Sequence, residues 1–145
     1  MRSVTFACGT LLFVAISCSI IRGQEPNRFS QSFPQSAPVI EVLKAVKDSD
    51  VAAFNNAYSK RIRDDKDQGY WEKKLKETQA AVKKRFGEFQ VKDFEFVFYG
   101  SLEEDGRVIL IRKGNKAFSL AVIKEGDNWK VDSAELAAEP DYDGE

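Results

Sequence analysis

Four side chains in this sequence are of the types needed for proton transfer at a carbon centre. Asp93 and Glu95 could serve as carboxylate bases, and Tyr58 and Tyr99 as phenolic hydrogen-bond donors. An isomerase-like site sets such a base beside a tyrosine or a protonated carboxyl inside an apolar pocket. Phe94, Phe96 and Phe98, together with Trp129, could form the apolar wall. A plainer reading covers the same residues. Tyr58 falls on a helical core stripe, Tyr99 ends a strand, and Asp93 and Glu95 read as solvent-facing strand positions. Aromatic residues in strands are usually core. Core therefore outweighs pocket. We assign no catalytic residue, cofactor or metal, and we keep Tyr58, Asp93, Tyr99 and Trp129 as the residues that a pocket would use.

Composition narrows the chemistry further. The chain has no histidine, which removes the commonest general base near neutral pH, the usual zinc ligand and every Ser-His or Cys-His pairing. Its two cysteines, Cys8 and Cys18, both lie in an N-terminal apolar run, leaving the rest of the chain without a disulfide or a thiol nucleophile. A net charge of −1 gives no overall field to recruit nucleic acid or anionic lipid. A calcium loop starting at Asp64 fails at its third position, which is Lys66.

The elements that would have to position any site begin after an export signal. Met1 and Arg2 precede an apolar run from Val4 to Ile21, closed by Arg22 and Gly23, which is the layout of a secretory signal over residues 1–23. A membrane anchor is the rival, but the run is short and broken by small polar residues. Ala15-Ile16-Ser17-Cys18 resembles a bacterial lipoprotein box apart from Ala15, making Cys18 a candidate lipidation site. Otherwise it is a small apolar residue of the signal. Residues 24–37, with Pro26, Pro34 and several serines, read as a flexible tether. The expected location is outside the bacterial cytoplasm: periplasmic, secreted, or held at the membrane by a lipidated Cys18. Mass spectrometry of the native protein should find an N-terminus between residues 18 and 24. A cytosolic form starting at residue 1 or 2 would contradict export.

From Pro38 to Ser133 the pattern is α+β: three helices, then a curved four-stranded antiparallel meander whose concave face the helices cover. Val39, Ile40, Leu43 and Val46 mark the first helix, which stops at a corner capped by Asp48, Ser49 or Asp50. Val51, Phe54, Tyr58 and Ile62 mark the second. Trp71, Leu75, Val82 and Phe86 mark the third, ended by Gly87. The lysines on this last helix could form an anion-binding patch, but interspersed glutamates favour an ordinary solvated face. Period-two alternation then gives four strands, with turns at Glu103-Glu104-Asp105-Gly106, Gly114-Asn115 and Gly126-Asp127. Residues 134–145 read as an acidic, disordered tail.

Two stretches carry a resemblance, Ala45-Val46-Lys47-Asp48-Ser49-Asp50-Val51 and Val122-Ile123-Lys124-Glu125-Gly126-Asp127-Asn128-Trp129-Lys130-Val131-Asp132. With Trp71 and Phe86-Gly87-Glu88-Phe89, they resemble small exported bacterial domains of unknown function in the nuclear transport factor 2-like, cystatin-like superfamily. The resemblance spans residues 38–133. It implies a cone, a curved sheet wrapped round helices, and in many members an interior pocket. Enzymatic members usually carry a short strand pair between the second and third helices, for which Asp64 to Gly69 is too short. The expected function is therefore an exported, non-catalytic interaction module. Its expected partners are a cell-envelope protein, a small ligand, or a second copy meeting it through the sheet face; nucleic acid is not expected, and the membrane is met only through the N-terminal segment. The alternative is a binder of small apolar ligands, or an isomerase-like enzyme, using the interior of the cone.

Overall fold

The computed structural model describes residues 33–101, 103–112 and 116–139. The signal segment with Cys18, most of the tether, the Gly114-Asn115 turn and the last six residues lie outside the described residues. The fold is α+β, with helices first and an antiparallel meander after them.

A 3-10 turn, Pro34–Ser36, leads into α1 (Ala37–Asp48), where Pro38 sits in the first turn and needs no amide partner. So the end of the expected tether is already structured, and Gln35 and Ser36 are buried. Ser49 closes α1 in the left-handed conformation, and Asp50 caps α2 (Val51–Asn56) by accepting from Ala53 N at 3.0 Å. The expected second helix then breaks. Ala57 O accepts from Val131 N at 2.8 Å and Ser59 N donates to Val131 O at 2.7 Å, a parallel bridge that covers the free edge of the hairpin strand Asn128–Val131. Ser59 restarts the chain as the cap of a one-turn helix, α3 (Lys60–Arg63). Among the described residues four helices thus replace three, because pairing with the sheet edge outweighs helical continuation at residues 57–59. The fourth, α4 (Gln68–Phe86), is capped by Asp67 and buries Trp71, Leu75, Thr78, Val82 and Phe86.

The strands are β1 (Phe94–Gly100), β2 (Asp105–Arg112), β3 (Ala117–Glu125), β4 (Asn128–Val131) and β5 (Ala137–Glu139). They pair in the order β1-β2-β3-β4. Strand β5 is a correction to the disordered tail. Residues 137–139 pair with residues 117–119 of β3, on the same edge that β4 occupies at residues 122–125. Between them Asp132 N donates to Ala121 O, and Ala121 N to Ser133 Oγ, so the backbone of Ala121 is paired between the two partners of β3. Asp105 and Gly106, expected in a turn, are the first residues of β2.

The register sets Phe98 opposite Val108, Val108 opposite Leu120, and Val122 opposite Val131 on the core face. Phe98 of β1 meets Trp129 of β4 with ring centroids 5.7 Å apart. In a flat sheet, strands three places apart lie about 14 Å from one another. The contact therefore requires a strong curl. Gly106 permits it by having no side chain where the Phe98 ring crosses.

Candidate functional site

The four pocket residues proposed from the sequence are not brought together. Tyr58 is 2% exposed and sits in an aromatic cluster with Phe54 (centroids 5.1 Å) and Trp71 (5.0 Å). Burial pushes its phenol well above the usual tyrosine range, and the nearby Tyr70 adds to this. Asp93 lies exposed at the end of a 3-10 turn, where its Oδ2 accepts from Gln90 N at 2.7 Å. Glu95 is exposed on β1. Tyr99 is 49% exposed, on the sheet face opposite Phe94, Phe96 and Phe98. Only Trp129, 8% exposed, borders both core and surface.

A continuous cluster of buried side chains lies between sheet and helices. Phe86 packs edge-on against Phe94 and Phe118, and Val39, Leu43, Leu120 and Val131 fill the space towards α1. Burial among Phe54 and Trp71 separates Tyr58 from the exposed carboxylates of Asp93 and Glu95.

A cleft of about 460 Å³ lies outside the core, between the start of α1, the end of α2 and the β3–β4 turn. Pro34, Ala37, Pro38, Ala53 and Ala57 make its apolar walls, and Trp129, largely buried against Phe98, borders it. Glu41, Asn56, Asp127, Asn128 and Lys130 supply the polar groups. The volume falls within the range of small-molecule sites.

Sequence spacing brings these residues together only through the fold. Residues 34–41 reach the cleft because the end of the tether is ordered. Residues 53–57 reach it because the break after α2 ties the chain to β4, and a latch holds that tie. Ser59 Oγ donates to Asp132 Oδ1 at 2.5 Å, and Arg61 reaches Oδ2 of the same carboxylate at 2.6 Å. Lys60 N donates to Glu125 Oε1 at 2.7 Å. The hydrogen bond and charge of Asp132 push the exposed Arg61 guanidinium still higher, though arginine is charged at any physiological pH. Lys130 Nζ donates to Asn56 O at 2.6 Å, closing one wall. The signal that could have located the cleft is Trp129 just after the Gly126-Asp127 turn.

Compared with protein-family models, curated proteins and solved structures, the chain matches none. Among the described residues, no group of three acidic or thiol side chains is placed to hold a metal ion, and no helix is long and apolar enough to cross a membrane.

Proposed function

We propose that this chain is an exported, non-catalytic binding module of the cystatin-like, nuclear transport factor 2-like type, and that it receives its partner in the Trp129 cleft. The observation that supports this most is the division between inside and outside. The interior that enzymes of this type would use is filled by Phe54, Tyr58, Trp71 and Phe86, whereas an open concavity of about 460 Å³ with mixed apolar and polar walls lies at the surface. On the outer sheet face, where a second copy could dock, Val97, Ala117 and Ser119 are already buried within one chain, and among the described residues Tyr99 is the large exposed apolar group.

A fragment library containing neutral, cationic and anionic members, screened by amide and indole chemical shifts, tests this reading. Hits should move the signals of Ala53, Asp127, Asn128 and the Trp129 indole, and leave Phe54 and Tyr58 in place. Hits that cluster on Tyr58, or a defined turnover lost on Tyr58→Phe, would contradict the proposal.

A further inference from the structure

We infer that residues 59–67 form a strap that opens and closes as one unit, with the Asp132 carboxylate as its latch, while the core beneath stays folded.

The ends of the segment lie together. Tyr58, just before it, and Trp71, on α4, are 2% and 1% exposed, and their rings meet at 5.0 Å. The chain therefore leaves the core at Ser59 and returns to it at Trp71, close to where it left. This is the layout of an Ω-loop, a surface loop of about 6–16 residues that is frequently functional. Both ends are anchored by the cluster of Phe54, Tyr58 and Trp71, and not by the residues between them.

Composition decides what holds the segment down. In Ser59-Lys60-Arg61-Ile62-Arg63-Asp64-Asp65-Lys66-Asp67 only Ile62 is apolar, and it is partly buried against the core. The one-turn helix α3 within the segment buries no side chain. With so little apolar surface to hide, the segment depends on polar contacts, and such segments occupy the low-stability end of a domain.

The contacts that reach across to the sheet fall at one end. Ser59 N donates to Val131 O at 2.7 Å, and Lys60 N to Glu125 Oε1 at 2.7 Å. Ser59 Oγ donates to Asp132 Oδ1 at 2.5 Å, and Arg61 donates to both oxygens of the same carboxylate, at 3.2 Å from Nε and 2.6 Å from Nη2. Asp132 thus gathers Ser59 and Arg61 on one side chain, which is 15% exposed. Beyond Arg61 the hydrogen bonds among the described residues are local: Asp64 N donates to Lys60 O, Lys66 N to Arg63 O, and Tyr70 N to Asp67 Oδ1. Closure also has a cost. Arg63 Nε is buried without an acceptor among the described residues, and opening returns it to water. Opening also frees the Val131 carbonyl and the carboxylates of Asp132 and Glu125. The strap thus governs one edge of β4, the strand that also borders the cleft.

Native-state hydrogen exchange on the whole protein tests this. The Ser59 and Lys60 amides should be equally protected, at least about tenfold less than the amides of the β2–β3 ladder, and their exchange should barely respond to low urea. Val131 N, held from the core side by Ala57 O at 2.8 Å, should stay in the slow class. In Asp132→Asn, which keeps an oxygen for Ser59 but loses the charge, both strap amides should exchange about fivefold faster or more. Lys60 N donates to Glu125 and not to Asp132, so its acceleration alongside Ser59 marks a unit, not one lost contact. Salt at about 1 M should act in the same direction, by screening the exposed Arg61. Strap amides with the protection and urea dependence of the β2–β3 ladder, or an Asp132→Asn change that leaves Lys60 unaffected, would overturn the inference.

Discussion

Replacing Gly106 by alanine is expected to destabilise the domain by about 3 kcal/mol, near the upper end of what overpacking costs. A Cβ at this position would lie 2.5 Å from Phe98 Cζ and 2.5 Å from Tyr99 O. The ring cannot simply withdraw, because it is packed on Trp129 at 5.7 Å and holds the curl of the sheet. Gly100, its partner across the β1–β2 pair, is equally constrained: its φ is 148°, and a Cβ there would lie 2.5 Å from Asp105 O. A strain of this size should lower Tm by roughly 10 °C or more. Gly69→Ala is the control. It lies in the first turn of α4, where a Cβ meets only Asp67 Oδ1 at 3.5 Å, and should be neutral or mildly stabilising. Thermal unfolding of both variants decides the point; equal Tm values would mean that the curl does not depend on Phe98 crossing Gly106.

The second large effect concerns the aromatic cluster that fills the interior. Trp71→Ala is expected to cost about 3–5 kcal/mol, the range for truncating a fully buried large aromatic. Trp71 is 1% exposed and touches Phe54, Tyr58 and Tyr70, with centroid distances of 6.1, 5.0 and 5.2 Å. Its indole Nε1 is buried with no hydrogen-bond partner among the described residues, so the residue is retained there for its packing. Trp71→Phe keeps most of the apolar volume and should cost well under half as much. Urea unfolding of the two variants separates the outcomes. A loss under about 1 kcal/mol for Trp71→Ala would indicate a loose interior with space for a ligand.

The parts of the fold legible in the sequence are those in which local pattern and tertiary packing agree. The stripe Trp71, Leu75, Val82 and Phe86, the caps at Asp50 and Gly87, and the alternation through Phe94, Phe96 and Phe98 all specify elements that the core then uses. The illegible parts are those decided by contacts distant in sequence. Tyr58 fits a helical stripe as well as a bridge. Only the unpaired edge of β4, more than 70 residues later, makes the bridge preferable. Residues 137–139 have too few apolar groups to announce a strand, and they form one because β3 has an edge to complete. The candidate site was hidden for the same reason. Asp93, Glu95, Tyr58 and Tyr99 have the chemical types of a site, but strand alternation and helix packing send Tyr58 to the core and the others to the surface. The cleft gathers small, unremarkable residues from three separate segments, and of those foreseen it includes only Trp129.

The central claim is that the interior is a closed core and the binding surface lies outside it. The protonation of Tyr58 tests this most directly. Its pKa is raised by burial, so below about pH 10 the phenol is neutral in both folded and unfolded chains and contributes no pH dependence. Above that, the unfolded chain ionises while the folded one holds its proton. Stability should then fall with rising pH, by up to about 1.4 kcal/mol per unit, and Tyr58→Phe should remove that part of the slope. With tyrosines labelled at the ring carbon bearing the hydroxyl and the Tyr58 signal assigned from the Tyr58→Phe variant, the account predicts that this phenol stays protonated until the domain unfolds in alkali. A Tyr58 that ionises near pH 10 in the folded protein would show that water reaches the interior, and would contradict the closed core on which the external site depends.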